Sequence, residues 1–193
     1  MIKNIKKLKW KKILKLIIIY MIILNFYKGY NPYLPSLPFY PNSKDEVKLV
    51  KKQINSRTQK DIDFFYLTNH GVHNAFFPHV RETKKELKKI ILEPFVRFIV
   101  YSNKYIINRA RPEQIDNSIK PLNKETSQTP AFPAGHALQA AVLCRKLSKK
   151  YPEKKELFKK IALECDYCRI KAGLHYPSDG EYSRYLVDLF YNN

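Results

Sequence analysis

Three blocks of this 193-residue chain carry side chains whose types and spacing can do chemistry. They are residues 104–112 (KYIINRARP), 132–136 (FPAGH) and 168–179 (CRIKAGLHYPSD). Lys104 and Arg111 are seven residues apart, so on one helix both project from the same face and can meet a single anion. Gly135 lets the backbone approach a ligand closely, and residues 136–147 (HALQAAVLCRKL) have the periodicity of a helix. The unpaired N–H groups at the start of such a helix favour an anion, and His136 beside them can exchange a proton with it. Arg169 adds a planar donor fork that matches phosphate oxygens. His175 and Asp179 stand at i and i+4, where the carboxylate can accept from one imidazole nitrogen and leave the other free to attack. A nucleophile, an orienting acid, a proton donor and a charge clamp together predict phosphoryl transfer through a phosphohistidine.

The pattern K-x6-R-P, then P-S-G-H, then S-R-x5-H-x3-D belongs to the type 2 phosphatidic acid phosphatase and vanadium haloperoxidase superfamily, which this chain resembles. Lys104, Arg111 and Pro112 match the first block, Pro133, Gly135 and His136 the second, and Arg169, His175 and Asp179 the third. The gaps between blocks resemble those of the soluble bacterial class A non-specific acid phosphatases. The proline-rich lead-in LPSLPFYPNSKDEV extends the likeness over residues 33–190.

The resemblance implies that His175 is the nucleophile, Asp179 its partner and His136 the acid for the leaving group. It implies that Lys104, Arg111, Arg169 and the Gly135 amide bind phosphate, with no metal and no other cofactor. Haloperoxidases hold vanadate in the same pocket, so vanadate enters only under that alternative. Two positions depart from the pattern. Ala134 stands where the family has serine, and a lost hydrogen bond to a charged group, roughly 1.5–3 kcal/mol, predicts activity about ten- to a hundredfold lower. Cys168 stands where the family has the serine before arginine, and a thiol is a weaker donor there.

The elements that must carry these blocks read as helices. Residues 31–42 hold four prolines and predict an extended strap. Ser43 and Glu46 predict a capping box opening a helix with Val47, Val50 and Ile54 on one face. A second helix starts after Thr58 with Asp61 as its third residue. Thr83 and Glu86 open a longer one, split at Pro94 and ending near Arg111, because Pro112 disfavours helix before it. Residues 113–132 predict an irregular flap over the site. Helices follow from His136, from Pro152 to Ala172 with Gly173 as the stop, and from Ser178 to about Tyr191. Alternating strand patterns are scarce, so the fold class is all-α, one helical-bundle domain; the acid phosphatase and haloperoxidase type follows from the resemblance.

The formal charge of +19 is unevenly spread, with eight lysines and no carboxylate in residues 1–30. The apolar run 16–27 (LIIIYMIILNFY) follows most of those lysines and spans only about 18 Å as a helix. The reading is a leader with a signal-anchor-like segment over 1–30 and a catalytic domain over 31–193. The segment anchors the protein in a membrane, or directs its secretion, with the catalytic domain on the non-cytoplasmic side. No zinc-finger or RNA-binding signature accompanies the basicity, which argues against nucleic acid as a partner. Partners are instead a phosphorylated small molecule or lipid, and a membrane through the leader. Cys144, Cys165 and Cys168 read as small buried residues rather than a redox pair, and His70, His73 and His79 as loop and core residues rather than metal ligands. The function expected is a phosphomonoester hydrolase. The alternatives are a vanadium-dependent haloperoxidase and a phosphate- or phospholipid-binding protein with weak or lost turnover.

Overall fold

The computed structural model describes Lys12, Lys15, residues 29–34 and residues 36–191. The apolar run 16–27 and the rest of the basic leader lie outside the described residues. All regular structure described is helical: α1 (Ser43–Asn55), α2 (Gln59–Asn69), α3 (His73–Phe76), α4 (Lys84–Ile91), α5 (Pro94–Ile107), α6 (Pro112–Ile115), α7 (Gly135–Lys150), α8 (Lys155–Lys171) and α9 (Pro177–Tyr191). Short 3-10 turns at Phe77–His79 and Pro152–Lys154 join α3 to the next loop and α7 to α8. The domain is therefore all-α, as its sequence predicts.

α7 lies in the middle and packs on α8 and α9. One side of it buries Leu143 and Leu147 with Phe76, Leu87 and Phe158. The other buries Leu138 and Val142 with Val96, Ile99 and Leu186. Both clusters come from apolar residues three and four apart on facing helices. Thr58 with Asp61 and Thr83 with Glu86 form reciprocal capping boxes at the starts of α2 and α4. Pro94 occupies the first turn of α5, where its missing N–H costs no hydrogen bond.

Three predicted boundaries shift, each for a local reason. Asn42, not Ser43, caps α1, its side chain accepting from the Lys44 N–H at 2.9 Å. That frees Glu46 from any capping role and turns it into the interior. α5 ends at Ile107 rather than near Arg111, because Asn108 takes the left-handed conformation with φ 50° and ψ 50°. Asparagine tolerates that region, and here the strap holds it: the Asn108 side chain accepts from the Asn31 N–H at 3.1 Å and donates to the Asn31 carbonyl at 2.8 Å. α9 starts at Pro177, with the Ser178 hydroxyl turned towards Glu46. The stop after α8 is as predicted: Gly173 has φ 77° and reverses the chain, delivering His175 in the five-residue connection, residues 172–176, before α9. All three cysteines are free, with Cys165 and Cys168 buried.

Asp166 on α8 is buried, pairs with Arg184 of α9 and lies directly under Gly180. A Cβ on Gly180 would come within 2.0 Å of an Asp166 carboxylate oxygen. Glycine to alanine inside an open helix usually stabilises. Here Gly180→Ala should instead lower the unfolding free energy by about 1–3 kcal/mol in urea titration; a gain would show that the Asp166–Arg184 pair moves aside freely.

Candidate active site

His175 and Asp179 meet as their spacing suggests, though not on one helix. His175 precedes α9 and Asp179 lies in its first turn. The His175 Nδ1–H donates to Asp179 Oδ2 at 2.9 Å, and the Tyr176 N–H donates to the same oxygen at 3.0 Å. This fixes the tautomer, so Nε2 carries the lone pair; it accepts from Arg111 Nη1 at 3.3 Å.

The other oxygen of Asp179 is held by a residue that motif reasoning passes over. Arg109, fully buried, donates from Nη1 to Asp179 Oδ1 at 2.6 Å and from Nη2 to Glu46 Oε2 at 2.6 Å. Its guanidinium is stacked between the rings of Tyr40 (4.1 Å) and Tyr176 (3.8 Å). Glu46 also accepts from the Ser178 N–H at 3.0 Å and the Ser178 hydroxyl at 2.6 Å, tying α1 to the start of α9. Two signals in the sequence point to these residues: a second arginine two before Arg111, and a glutamate on the apolar stripe of α1.

Lys104 and Arg111 do converge, but Arg111 lies beyond the left-handed turn at Asn108, in extended backbone before α6. The loop after α6 receives both. Lys104 Nζ donates to the carbonyls of Pro130 (2.5 Å) and Ala131 (3.2 Å). Arg111 donates to the carbonyls of Thr129 and Leu174, each at 2.8 Å. The end of the predicted flap is thus pinned into the site rather than lying loose over it. Arg169 donates to Thr68 Oγ1 at 2.7 Å and lies over the Phe65 ring at 4.6 Å. Its Nε is buried with no hydrogen-bond partner. The Cys168 thiol lies 3.9 Å from the same Thr68 hydroxyl.

Among the described residues, no carboxylate stands within ion-pair distance of Lys104, Arg111 or Arg169, although all three are buried. Neutral carbonyls, the Thr68 hydroxyl and the His175 ring accept their hydrogen bonds instead. Buried charge is costly unless compensated, so this donor set suits an anion with several oxygens.

Gly135 begins α7 and approaches the Lys104 side chain: a Cβ there would lie 4.0 Å from Lys104 Cε. Its N–H and the next ones have no intrahelical partner and add the positive end of the helix dipole. Ala134, fully buried, occupies the capping position without a side-chain bond. His136 donates from Nε2 to the Asn69 carbonyl at 2.9 Å, leaving Nδ1 with the lone pair. A cavity of about 410 Å³ reaches His136 from outside, lined among others by Asn69, Lys88, Leu92, Tyr101, Thr129 and Gln139.

Burial, then the charge of Arg111, pushes His175 down to about 3 despite its carboxylate partner. Burial, then Arg169, pushes His136 well below its usual range; the charges of His175 and Lys104 act on it in the same direction. Burial and Arg111 push Lys104 well below the usual ammonium range, and burial lowers Arg111 to about 10 and Arg169 as well. For Asp179 burial acts upwards, but the His175 hydrogen bond and Arg109 outweigh it and hold the carboxyl below its ordinary value. An anion between these groups would favour every cationic form.

No family model matches the sequence, and no curated protein matches it. The structure is similar to the crystal structure of a transmembrane PAP2-type phosphatidylglycerolphosphate phosphatase from Bacillus subtilis. The TM-score is 0.53 at 19% identity, over 93% of this chain and 95% of that one. The chain therefore shares the helical fold of that protein. Among the described residues, no helix is long and apolar enough to cross a membrane.

The folded site keeps His175 neutral, whereas an unfolded histidine titrates near 6.5, so the unfolded chain takes up the proton first as pH falls. His136 acts in the same sense. The stability contributed by the neutral forms is whole above about pH 6.5 and is lost towards pH 3. The urea midpoint should fall between pH 7 and pH 4, and fall less in His175→Gln; a midpoint that rises on acidification contradicts this assignment.

Proposed function

We propose that this protein is a phosphatase acting on phosphomonoesters, including phospholipid phosphates, through a phosphohistidine and without a metal cofactor. The observation that carries the reading is the trio of buried cations, unpaired with carboxylate, beside a histidine oriented by Asp179. Its motif blocks and its shared fold point the same way. The Bacillus subtilis protein is a phosphatidylglycerolphosphate phosphatase, which makes an anionic lipid phosphate the first substrate to try.

In this mechanism Lys104, Arg111, Arg169 and the Gly135 N–H bind the three non-bridging oxygens and stabilise charge on them as the bonds change. His175 Nε2 leaves its contact with Arg111 and attacks phosphorus. The bond from phosphorus to the leaving oxygen breaks, and His136 supplies that oxygen's proton from Nδ1. The dianionic phosphate raises the proton affinity of His136 against the burial that lowers it. Water then gives a proton to His136, attacks phosphorus and breaks the P–N bond, releasing inorganic phosphate and restoring neutral His175. Asp179 stays ionised throughout, held by Arg109. The N-terminal run tethers the enzyme to a membrane with this domain on the non-cytoplasmic side.

The test is phosphate release from phosphatidic acid, phosphatidylglycerolphosphate and p-nitrophenyl phosphate. His175→Ala should abolish release and the acid-labile phosphoenzyme trapped by rapid quenching; near-normal release by that variant rejects the nucleophile. Ala134→Ser restores a hydroxyl at the anion and a favourable cap for α7, so kcat/KM should rise by about tenfold or more. An unchanged or lower value would show that the missing hydroxyl does not limit turnover.

A further inference from the structure

The outer arc of α5 is apolar. Phe95, Phe98, Tyr101 and Ile106 are each between 39% and 52% exposed, on a helix whose opposite side builds the core with Val96, Ile99 and Val100. The arc is not an isolated ring or two. Phe95 packs edge-on against Phe190 of α9 at 5.7 Å, and Tyr101 stacks on Tyr105 at 6.4 Å. Beside it, α4 presents Lys85, Lys88 and Lys89, and α5 adds Arg97, all exposed. None of these four has a carboxylate within ion-pair distance among the described residues, whereas Lys51, Lys150 and Lys171 elsewhere each hold one.

Two further observations connect this face to the site. Lys88, Leu92 and Tyr101 belong both to the face and to the rim of the cavity that reaches His136. The chain also enters the domain at the C-terminal end of α5, where Asn31 and Leu34 bond to Asn108. The apolar run 16–27 is thus a short step in sequence from the same edge.

We infer that the face made by α4, α5 and the end of α9 docks on the surface of an anionic bilayer, so that the cavity beside His136 opens on lipid headgroups. Aromatic rings partition to the headgroup level, and lysines next to them are drawn to anionic lipid. Charge complementarity selects the occupant: a ring-bearing face edged by unpaired cations suits anionic lipid better than a second copy of itself, whose matching cations would oppose it. The docking claim stands by itself; the consequence for substrate delivery rests on the phosphatase reading above.

The experiment uses the full chain with Cys144→Ser and a polarity-sensitive dye on Phe98→Cys, or on Glu153→Cys as the control. Vesicles of phosphatidylcholine and phosphatidylglycerol should shift the emission of the dye at 98 to the blue and leave that at 153 unchanged. Lys85→Glu and Lys89→Glu should each weaken the shift, by about fivefold or more in lipid concentration. A dye at 98 that stays in water while the protein sediments with vesicles overturns the inference and leaves the leader as the only lipid contact. So does a blue shift that grows with protein concentration in the absence of lipid, which would mark the face as a contact between copies. Phe95→Ser with Phe98→Ser should slow hydrolysis of vesicle lipid by roughly tenfold and spare p-nitrophenyl phosphate. Failure of the wild type to hydrolyse either compound would reject the phosphatase reading, while the dye still decides docking.

Discussion

The guanidinium of Arg109 holds two buried carboxylates, Glu46 and Asp179, and that single grip sorts the charge around the site. With the acids committed to Arg109, Lys104, Arg111 and Arg169 are left to carbonyls and hydroxyls. Had either carboxylate instead reached one of these cations, the cradle would be neutralised by the protein itself. Stacking between Tyr40 and Tyr176 keeps the guanidinium flat and dry, where its bonds to carboxylate are strongest. The arrangement yields an anionic Asp179 behind His175 and net positive potential in front of it.

The helices serve this sorting from several directions. α1 supplies Glu46, α2 supplies Thr68 and the Asn69 carbonyl, α5 carries Lys104 in its last turn, and α7 begins at Gly135. α8 brings Arg169 in its last turn, and Gly173 then reverses the chain so that His175 precedes α9. Each contribution sits at or near a helix end, where backbone groups are free to bind and side chains converge instead of diverging around a cylinder.

Much of this was legible in the residues because the chemistry is locally encoded. His175 with Asp179, and Gly135 with His136, sit in short blocks whose spacing survives any arrangement of the rest. Both capping boxes that formed, Thr58 with Asp61 and Thr83 with Glu86, were equally local. What spacing could not convey was the path between blocks. The seven-residue interval from Lys104 to Arg111 suggested one continuous helix, yet the left-handed turn at Asn108 breaks it, and only the strap bonded to Asn108 explains why. The pairing of Arg109 with Glu46 is hidden in the sequence for a related reason. Their partnership spans 63 residues and is a tertiary fact, with no periodicity to announce it. Thr68 and Asn69 are likewise about 100 residues from the arginine they support.

The bond between Glu46 and Ser178 closes a span of 132 residues, joining almost the first element of the domain to the last. Loops of that length form late, because chain entropy must be overcome before the contact returns anything. During synthesis Arg109 therefore waits with Glu46 as its one acid, until the final helix leaves the ribosome with Asp179. A chain released early lacks both the imidazole of His175 and the carboxylate that aims it. The buried charge network is thus completed in a single step at the end of translation, when α9 closes on α1.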